Sequence, residues 1–402
     1  MGMDRESVMV SRRVVLTGLV AMSALPHVAG AEAGFRAWLS GFGKTARRAG
    51  IKSATLKQLD TVAYLPKVVA ADRKPAETAK SLDFYISSAA SASRIRTGKS
   101  MARRYSGLLE QLERRYGVSR YVLLAIWGME SSYGGFRGNV PTLSALASLA
   151  YEGRRRERFE AELLAALEIL QAGDVTPKRL VGSYAGAMGH TQFMPSSYLE
   201  HAVDFDRNGR RDIWGDDPTD ALASTAAFLA AKGWSKGPRW GEEVRLPQGF
   251  DLALTGRIFP RKQTAWAQLG VTRANGRKLS GKREGAVILP AGPEGPVFMI
   301  YPNFHIIKTY NYADSYAISV GHLADRIAGE GAFLTRSSDR PWGMSLKERV
   351  DLQNLLNTAG YNAGRADGVI GEKGRAAIRA YEKAHGLRQT GVPSRALLAR
   401  LR

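Results

Sequence analysis

The stretch that constrains this chain most is Ser119–Gly135, SRYVLLAIWGMESSYGG. Val122, Leu123, Leu124, Ala125, Ile126 and Trp127 make a helix apolar on nearly every side, so the segment must lie inside a domain and be packed by other helices. Ser119 stands where an N-cap is expected. The helix then delivers an ionisable group, Glu130, to its C-terminal end, where Ser131, Ser132 and Gly134-Gly135 stop it. Desolvation and the partial negative charge of a helix C-terminus both disfavour a carboxylate there. The pKa of Glu130 is therefore expected to rise, and a carboxylic acid still protonated near neutrality can act as a general acid. A lone carboxyl in this position also reads as a structural group hydrogen-bonded at a helix end.

Three other stretches carry chemistry. Gly182–Tyr198, GSYAGAMGHTQFMPSSY, is a loop rich in Gly and Ser in which small residues let backbone approach a ligand closely. As a lone histidine, His190 reads as a wall residue of a cleft and not as a catalyst. Tyr301–Ala317, YPNFHIIKTYNYADSYA, is a string of aromatics and amides, and each tyrosine taken alone also reads as core. Asp204–Asp212, DFDRNGRRD, matches the start of a calcium loop. Oxygen ligands fall on Asp204, Asp206 and Asn208, Gly209 takes the turn position, and Arg210 offers its backbone carbonyl. The Glu expected at the twelfth position is replaced by Gly215. Asp217-Pro218-Thr219-Asp220 reads as the N-cap, first-turn proline and first-turn acid of a helix over Thr219–Lys232, and that reading is compatible with a metal loop.

The ends of the chain are distinct. Arg5, Arg12 and Arg13 precede an apolar run, Val14–Leu25, too short to span a bilayer, and Ala29-Gly30-Ala31 supplies a small-residue cleavage site. Residues 1–31 are expected to be an export signal. Ser11–Leu16 fits a twin-arginine signal, and Arg-Arg before an apolar run also fits an ordinary one. The chain has no cysteine, which excludes disulfides, a thiol nucleophile and a lipid-modified N-terminal Cys. A formal net charge of +21 suggests a polyanionic partner, but the sequence holds no nucleic-acid-binding module. Residues 336–343 read as a linker, after which Ser345-x-x-Glu348 opens a capping box and three short helices follow.

At this point two motifs carry a family resemblance. "AIWGME" with "ESSYG", together with the Gly182–Tyr198 text, resembles the lytic murein transglycosylases of the membrane-bound lytic transglycosylase B type, in the lysozyme-like superfamily. The resemblance covers about residues 34–329. Residues 344–402 are similar to the small three-helix peptidoglycan-binding domain of wall enzymes. The implied fold class is mainly α: a lysozyme-like catalytic domain (32–335) with a small β element, plus a small three-helix C-terminal domain.

The resemblance also implies roles. Glu130 would be acid and base, cleaving the β-1,4 bond between N-acetylmuramic acid and N-acetylglucosamine to leave a 1,6-anhydro product. Tyr85, Ser183, Gln192, Tyr310, Asn311 and Tyr316 would line the sugar-binding cleft. Arg155 matches a family arginine that contacts sugar substituents, although the run Arg154-Arg155-Arg156 also reads as a solvated charge run. Asp220 would close the metal loop, giving Asp204, Asp206, Asn208, Arg210 and Asp220 as ligands of a structural Ca2+; the chemistry itself would need no cofactor. The expected partner is the peptidoglycan glycan strand in a periplasm, with no nucleic acid and no transmembrane segment in the mature protein. A muramidase on the same fold, which adds water, and a non-catalytic wall-binding scaffold stay open on the residues alone.

Overall fold

A computed structural model describes residues 25–73, 82–337 and 340–402, with side chains from residue 32 onward. Residues 1–24 of the expected export signal and part of the linker lie outside those residues. The architecture is mainly helical, with seventeen α-helices, a five-stranded antiparallel sheet and a two-stranded ribbon among the described residues.

Helix Arg120–Ser131 is the axis of the larger core, as its all-round apolar pattern requires. Every residue from Val122 to Gly128 is buried. Helices Ala92–Arg104, Ser106–Tyr116, Thr219–Ala231 and Asp314–Ala328 pack around it. Burying each large aliphatic side chain here contributes roughly 1.5–3 kcal/mol, so the helix is held by its neighbours and not by its own propensity. Ser119 occupies the N-cap position, but its side chain makes no cap bond. Glu113 takes that part instead, accepting the Arg120 N–H at 3.3 Å and the Arg120 guanidinium through its other oxygen at 2.6 Å. A second helical pair, Thr142–Glu152 and Arg156–Ala172, flanks this core. In the latter, Phe159, Leu163 and Leu167 are buried on one face.

The sheet contains more strands than the sequence indicated. Its order is Arg261–Lys262, Glu284–Ile288, Val297–Ile300, Gly241–Arg245, Thr272–Arg273. Strands Glu284–Ile288 and Val297–Ile300 are apolar without a break because both sheet faces are covered. Ala286, Ile288, Phe298 and Ile300 point into the larger core, while Val287, Leu289, Val297, Met299 and Tyr301 point into a second one. That division follows from the two-residue period of a strand.

The second core is shared. Trp342, Met344, Leu352, Leu356, Ile378, Tyr381 and Leu398 of the C-terminal helices pack into it alongside Trp266 and the sheet residues. Its three helices are Leu346–Thr358, Glu372–Ala384 and Arg395–Leu401, and the capping box on Ser345 and Glu348 is formed. The stretch read as a linker is anchored, not loose. Trp342 is buried at a positive φ of 64°, its N–H donates to Glu294 at 3.2 Å, and the Arg375 guanidinium lies over its ring.

Candidate active site

Glu130 sits in the last turn of the buried helix, which ends at Ser132 in the left-handed region (φ 51°). Two consecutive non-glycine residues, Ser132 and Tyr133, hold positive φ there, a strained turn of the sort found at functional sites. The strain is offset locally. The Ser131 hydroxyl donates to the His190 carbonyl at 2.5 Å and accepts the Gly134 N–H at 2.9 Å, and the Tyr133 hydroxyl donates to the Arg94 carbonyl.

The carboxyl of Glu130 keeps a partly exposed side, yet the protein packed around it pushes its pKa up to about 7. Desolvation is the larger cause. The opposing influence is one hydrogen bond, from the Tyr316 hydroxyl to Oε1 at 2.5 Å. Burial, then the charge of Glu130, raise the Tyr316 phenol well above its ordinary value, so it stays a donor. Tyr316 is itself buried. Its ring is therefore not an open platform for a sugar, and the structure gives this tyrosine a different task, fixing the acid.

Tyr310 lies beside them. Its hydroxyl donates to the Thr191 carbonyl at 2.7 Å, and its ring packs against Phe193 and Phe228. Burial and the nearby Glu130 raise its pKa. Asn311 follows in an exposed position, its side-chain oxygen accepting the Ala313 N–H at 3.1 Å. Tyr85 is exposed on helix Leu82–Ala89, which packs against the helix of Tyr316.

The Gly182–Tyr198 loop folds tightly on itself. The Ser183 N–H donates to the Ala187 carbonyl, and the Ser183 hydroxyl accepts the Ala187 N–H at 3.1 Å. A Cβ on Gly182 would collide with that same carbonyl, so a glycine is required. Gln192 has φ 55°, and its amide donates to the carbonyls of Arg137 and Gly189, leaving its own oxygen without a hydrogen bond among the described residues.

His190 was expected to be a wall residue and proves to be a joint. Its Nδ1 accepts the Trp127 indole N–H at 3.0 Å, which places the ring proton on Nε2, donating to the Gly215 carbonyl at 2.7 Å. Its backbone N–H donates to the Ile213 carbonyl. Burial lowers its pKa, so the ring stays neutral. One residue thus ties the acid helix, at Trp127 and Ser131, to the segment that follows the acidic loop. Nothing along the chain marks a lone histidine for that part.

Arg155 is not placed as a free sugar contact. Its guanidinium and that of Arg154 both pair with the nearly buried Asp72, and Arg155 also lies over the Phe159 ring. The pair anchors helix Pro66–Arg73 through Asp72, while Arg154 and Arg156 stay exposed.

The acidic loop converges. Carboxylate oxygens of Asp204, Asp206 and Asp220 come within 4.8 Å of one another, and none of the three enters an ion pair among the described residues. Asp220 accepts the Phe205 N–H at 2.8 Å and the Asp212 N–H at 2.9 Å, closing the loop at both ends. Burial, then the charge of Asp206, raise its pKa. Asp217 accepts the Thr219 N–H at 2.9 Å just ahead of helix Thr219–Ala231, whose N-cap position falls on Pro218, one residue later than the sequence suggests. An oxygen-rich set with unbalanced negative charge fits a hard cation such as calcium.

Residues 34–325 match the transglycosylase SLT domain family. The chain belongs to that family. Residues 345–401 match the peptidoglycan binding domain family. Membrane-bound lytic murein transglycosylase B of Escherichia coli (strain K12) is 32% identical over 242 residues, 58% of this chain and 64% of that protein, so the match spans somewhat under two thirds of the relative. SltB3 from Pseudomonas aeruginosa, solved in complex with NAG-NAM-pentapeptide, is 42% identical with a TM-score of 0.82, over 92% of this chain and 99% of that one. Its complex with NAG-anhNAM-pentapeptide gives 42% and 0.81 over 91% and 99%. The Escherichia coli lytic transglycosylase Slt35, solved in complex with calcium, is 28% identical with a TM-score of 0.61 over 72% and 92%. The expected fold class is the one found: a mainly helical, lysozyme-like SLT fold with small sheets and a helical C-terminal domain. No described helix is long and apolar enough to cross a membrane.

Proposed function

We propose that this SLT-family protein is a peptidoglycan lytic transglycosylase that cleaves the β-1,4 bond between N-acetylmuramic acid and N-acetylglucosamine and forms 1,6-anhydromuramic acid. The observation that carries this reading is Glu130, a carboxyl with pKa about 7 at the end of a buried helix, held by Tyr316 and, among the described residues, by no second carboxylate. Protonated, it gives its proton to the glycosidic oxygen. Ionised, it takes the C6 hydroxyl proton as that oxygen closes on C1. Most glycosidases need a second carboxylate as nucleophile or to activate water, and here the substrate's N-acetyl group stabilises the developing cation instead. The Tyr316 hydrogen bond favours the ionised form that the second half of the cycle needs.

Gln192, Ser183, the exposed Asn311 amide and the exposed Tyr85 ring are the groups offered to sugar, with Tyr310 as part of the wall. The C-terminal domain holds the wall polymer. Asp204, Asp206, Asn208, the Arg210 carbonyl and Asp220 would hold calcium, which would neutralise the converging carboxylates and stiffen the loop. The chain works in a periplasm, exported by residues 1–31.

The test is mass spectrometry of peptidoglycan sacculi digested by the protein and by Glu130→Gln. Anhydro-muropeptides from the first and none from the second are expected. Reducing-end products carrying an added water would make the enzyme a muramidase instead.

A further inference from the structure

The reaction above uses none of the charge that gathers around the sheet. From Arg257 to Arg283 the sequence has eight basic residues and no acidic one. Three of these, Arg273, Lys282 and Arg283, meet Arg239 around a cavity of about 370 Å³. Its wall holds one carboxylate, Glu242, which is already engaged. One oxygen accepts from the Tyr301 hydroxyl and from Gln263 at 3.2 Å; the other faces Arg273 at 3.2 Å. Arg239 pairs with Asp325 at 3.1 Å. Lys282 and Arg283 enter no ion pair among the described residues, and Arg283 lies over the Tyr301 ring at 5.3 Å. Four cations face two carboxylates, Glu242 and Asp325, both already engaged, so the site keeps an excess of positive charge that a bound anion would relieve.

The rim is built. Leu279 buries itself in the second core, the Arg273 N–H donates to the Arg277 carbonyl at 2.9 Å, and Thr272 pairs with Lys278. Gly281 adopts φ +133°, and a Cβ there would lie 2.6 Å from Oε1 of the buried Gln263. Only glycine lets the loop lie on that floor and present Lys282 and Arg283 at a fixed place.

Guanidinium groups favour planar oxyanions, and carboxylates fit them with two parallel hydrogen bonds. If the substrate is peptidoglycan, its N-acetylated sugars are uncharged where the muramic carboxyl is amide-linked, so the polymer's carboxylates lie on its peptide stems. The cavity is within their reach. Asp325, the partner of Arg239, follows Tyr316 by nine residues on one helix, about 14 Å along its axis, and an extended pentapeptide spans about 17 Å. Resting on the proposed function, we infer that the Arg239–Arg273–Lys282–Arg283 cavity binds the carboxylates of a peptide stem while the cleft binds the sugar bearing it.

Binding is measured first, in the full chain carrying Glu130→Gln, so that turnover plays no part. The probes are an N-acetylated stem pentapeptide with free carboxylates and its fully amidated counterpart. The acidic peptide is expected to bind about 10-fold more tightly, and Lys282→Ala/Arg283→Ala or a rise from 50 to 300 mM salt should erase the difference. Arg283→Lys, which keeps the charge, should restore part of it and show that the fold is intact. Equal binding of both peptides, or a preference that survives the double substitution, overturns the inference. So does a DNA oligonucleotide that binds through Lys282 and Arg283 where the acidic peptide does not. In an enzyme with Glu130 intact, the double substitution should raise KM about 10-fold on stem-bearing strands, with kcat and stem-free strands unchanged. A rise on both kinds of strand also overturns it. Absence of anhydro products from the unaltered enzyme would remove the transglycosylase reading but leave the peptide-binding result standing.

Discussion

The two faces of the five-stranded sheet look onto halves of the molecule built in opposite ways. On one side the larger core surrounds a helix with no charge from Val122 to Met129 and then exposes a single carboxyl, Glu130, whose proton the burial retains. On the other, the smaller core is closed by buried arginines. Arg375 is almost fully buried, donating to the carbonyls of Gly391 and Leu252 and to the Thr255 hydroxyl, each at 2.9 Å, and so bolting the C-terminal helices to the sheet region. Burial lowers its pKa to about 10, which leaves it charged. The difference lies in the partners: Glu130 has one side-chain hydrogen bond, from Tyr316, while Arg375 bonds through all three of its guanidinium nitrogens.

Breaking the catalytic half should show the largest effect. Glu130→Gln is expected to lower turnover of sacculi by about 10³-fold or more while leaving wall binding intact, read from release of soluble muropeptides and from co-sedimentation. The architectural half should answer in stability. Arg375→Ala removes three hydrogen bonds to buried acceptors and is expected to cost about 2–4 kcal/mol. Denaturant unfolding should then show the sheet and C-terminal helices melting before the larger core.

Smaller changes sharpen the contrast. Tyr316→Phe deletes the one bond that lowers the Glu130 pKa, so the pKa should rise further above 7. Activity should fall about 10-fold, and the alkaline limb of the pH–rate profile should move to higher pH. The same raised pKa has a stability cost of opposite sign to its use. The folded-state pKa of about 7 exceeds the unfolded value of 4.5, so the contribution of Glu130 is full below pH 4.5 and lost as pH rises through 7. Glu130→Gln should accordingly be more stable than the parent at pH 8, by of order 1–2 kcal/mol, and lose that advantage at pH 4, seen as a Tm difference that closes on acidification. Least of all, Asp220→Asn or chelation of calcium should lower Tm by a few degrees and, through the His190 joint, shift the indole N–H resonance of Trp127; an unmoved resonance would mean that the loop and the acid helix are uncoupled.

Much of this was legible in the chain. The period of the apolar residues located the buried helix, its final turn located the acid, and the Asp-x-Asp-x-Asn-Gly spacing located the acidic loop, because each of these is a local pattern in which neighbours along the chain decide the outcome. The capping box on Ser345 and Glu348 followed from the same local rules. What Tyr316 does was not legible: it lies 186 residues from Glu130, and nothing along the chain distinguishes a tyrosine that stacks on sugar from one that holds an acid. Nor was the histidine joint, the diversion of Arg155 to Asp72, or the welding of a supposedly tethered domain to the far face of the sheet. Those depend on which side chains meet across the fold, and a hydrogen bond or a shared core exists only once long-range packing has fixed both partners and removed the water between them.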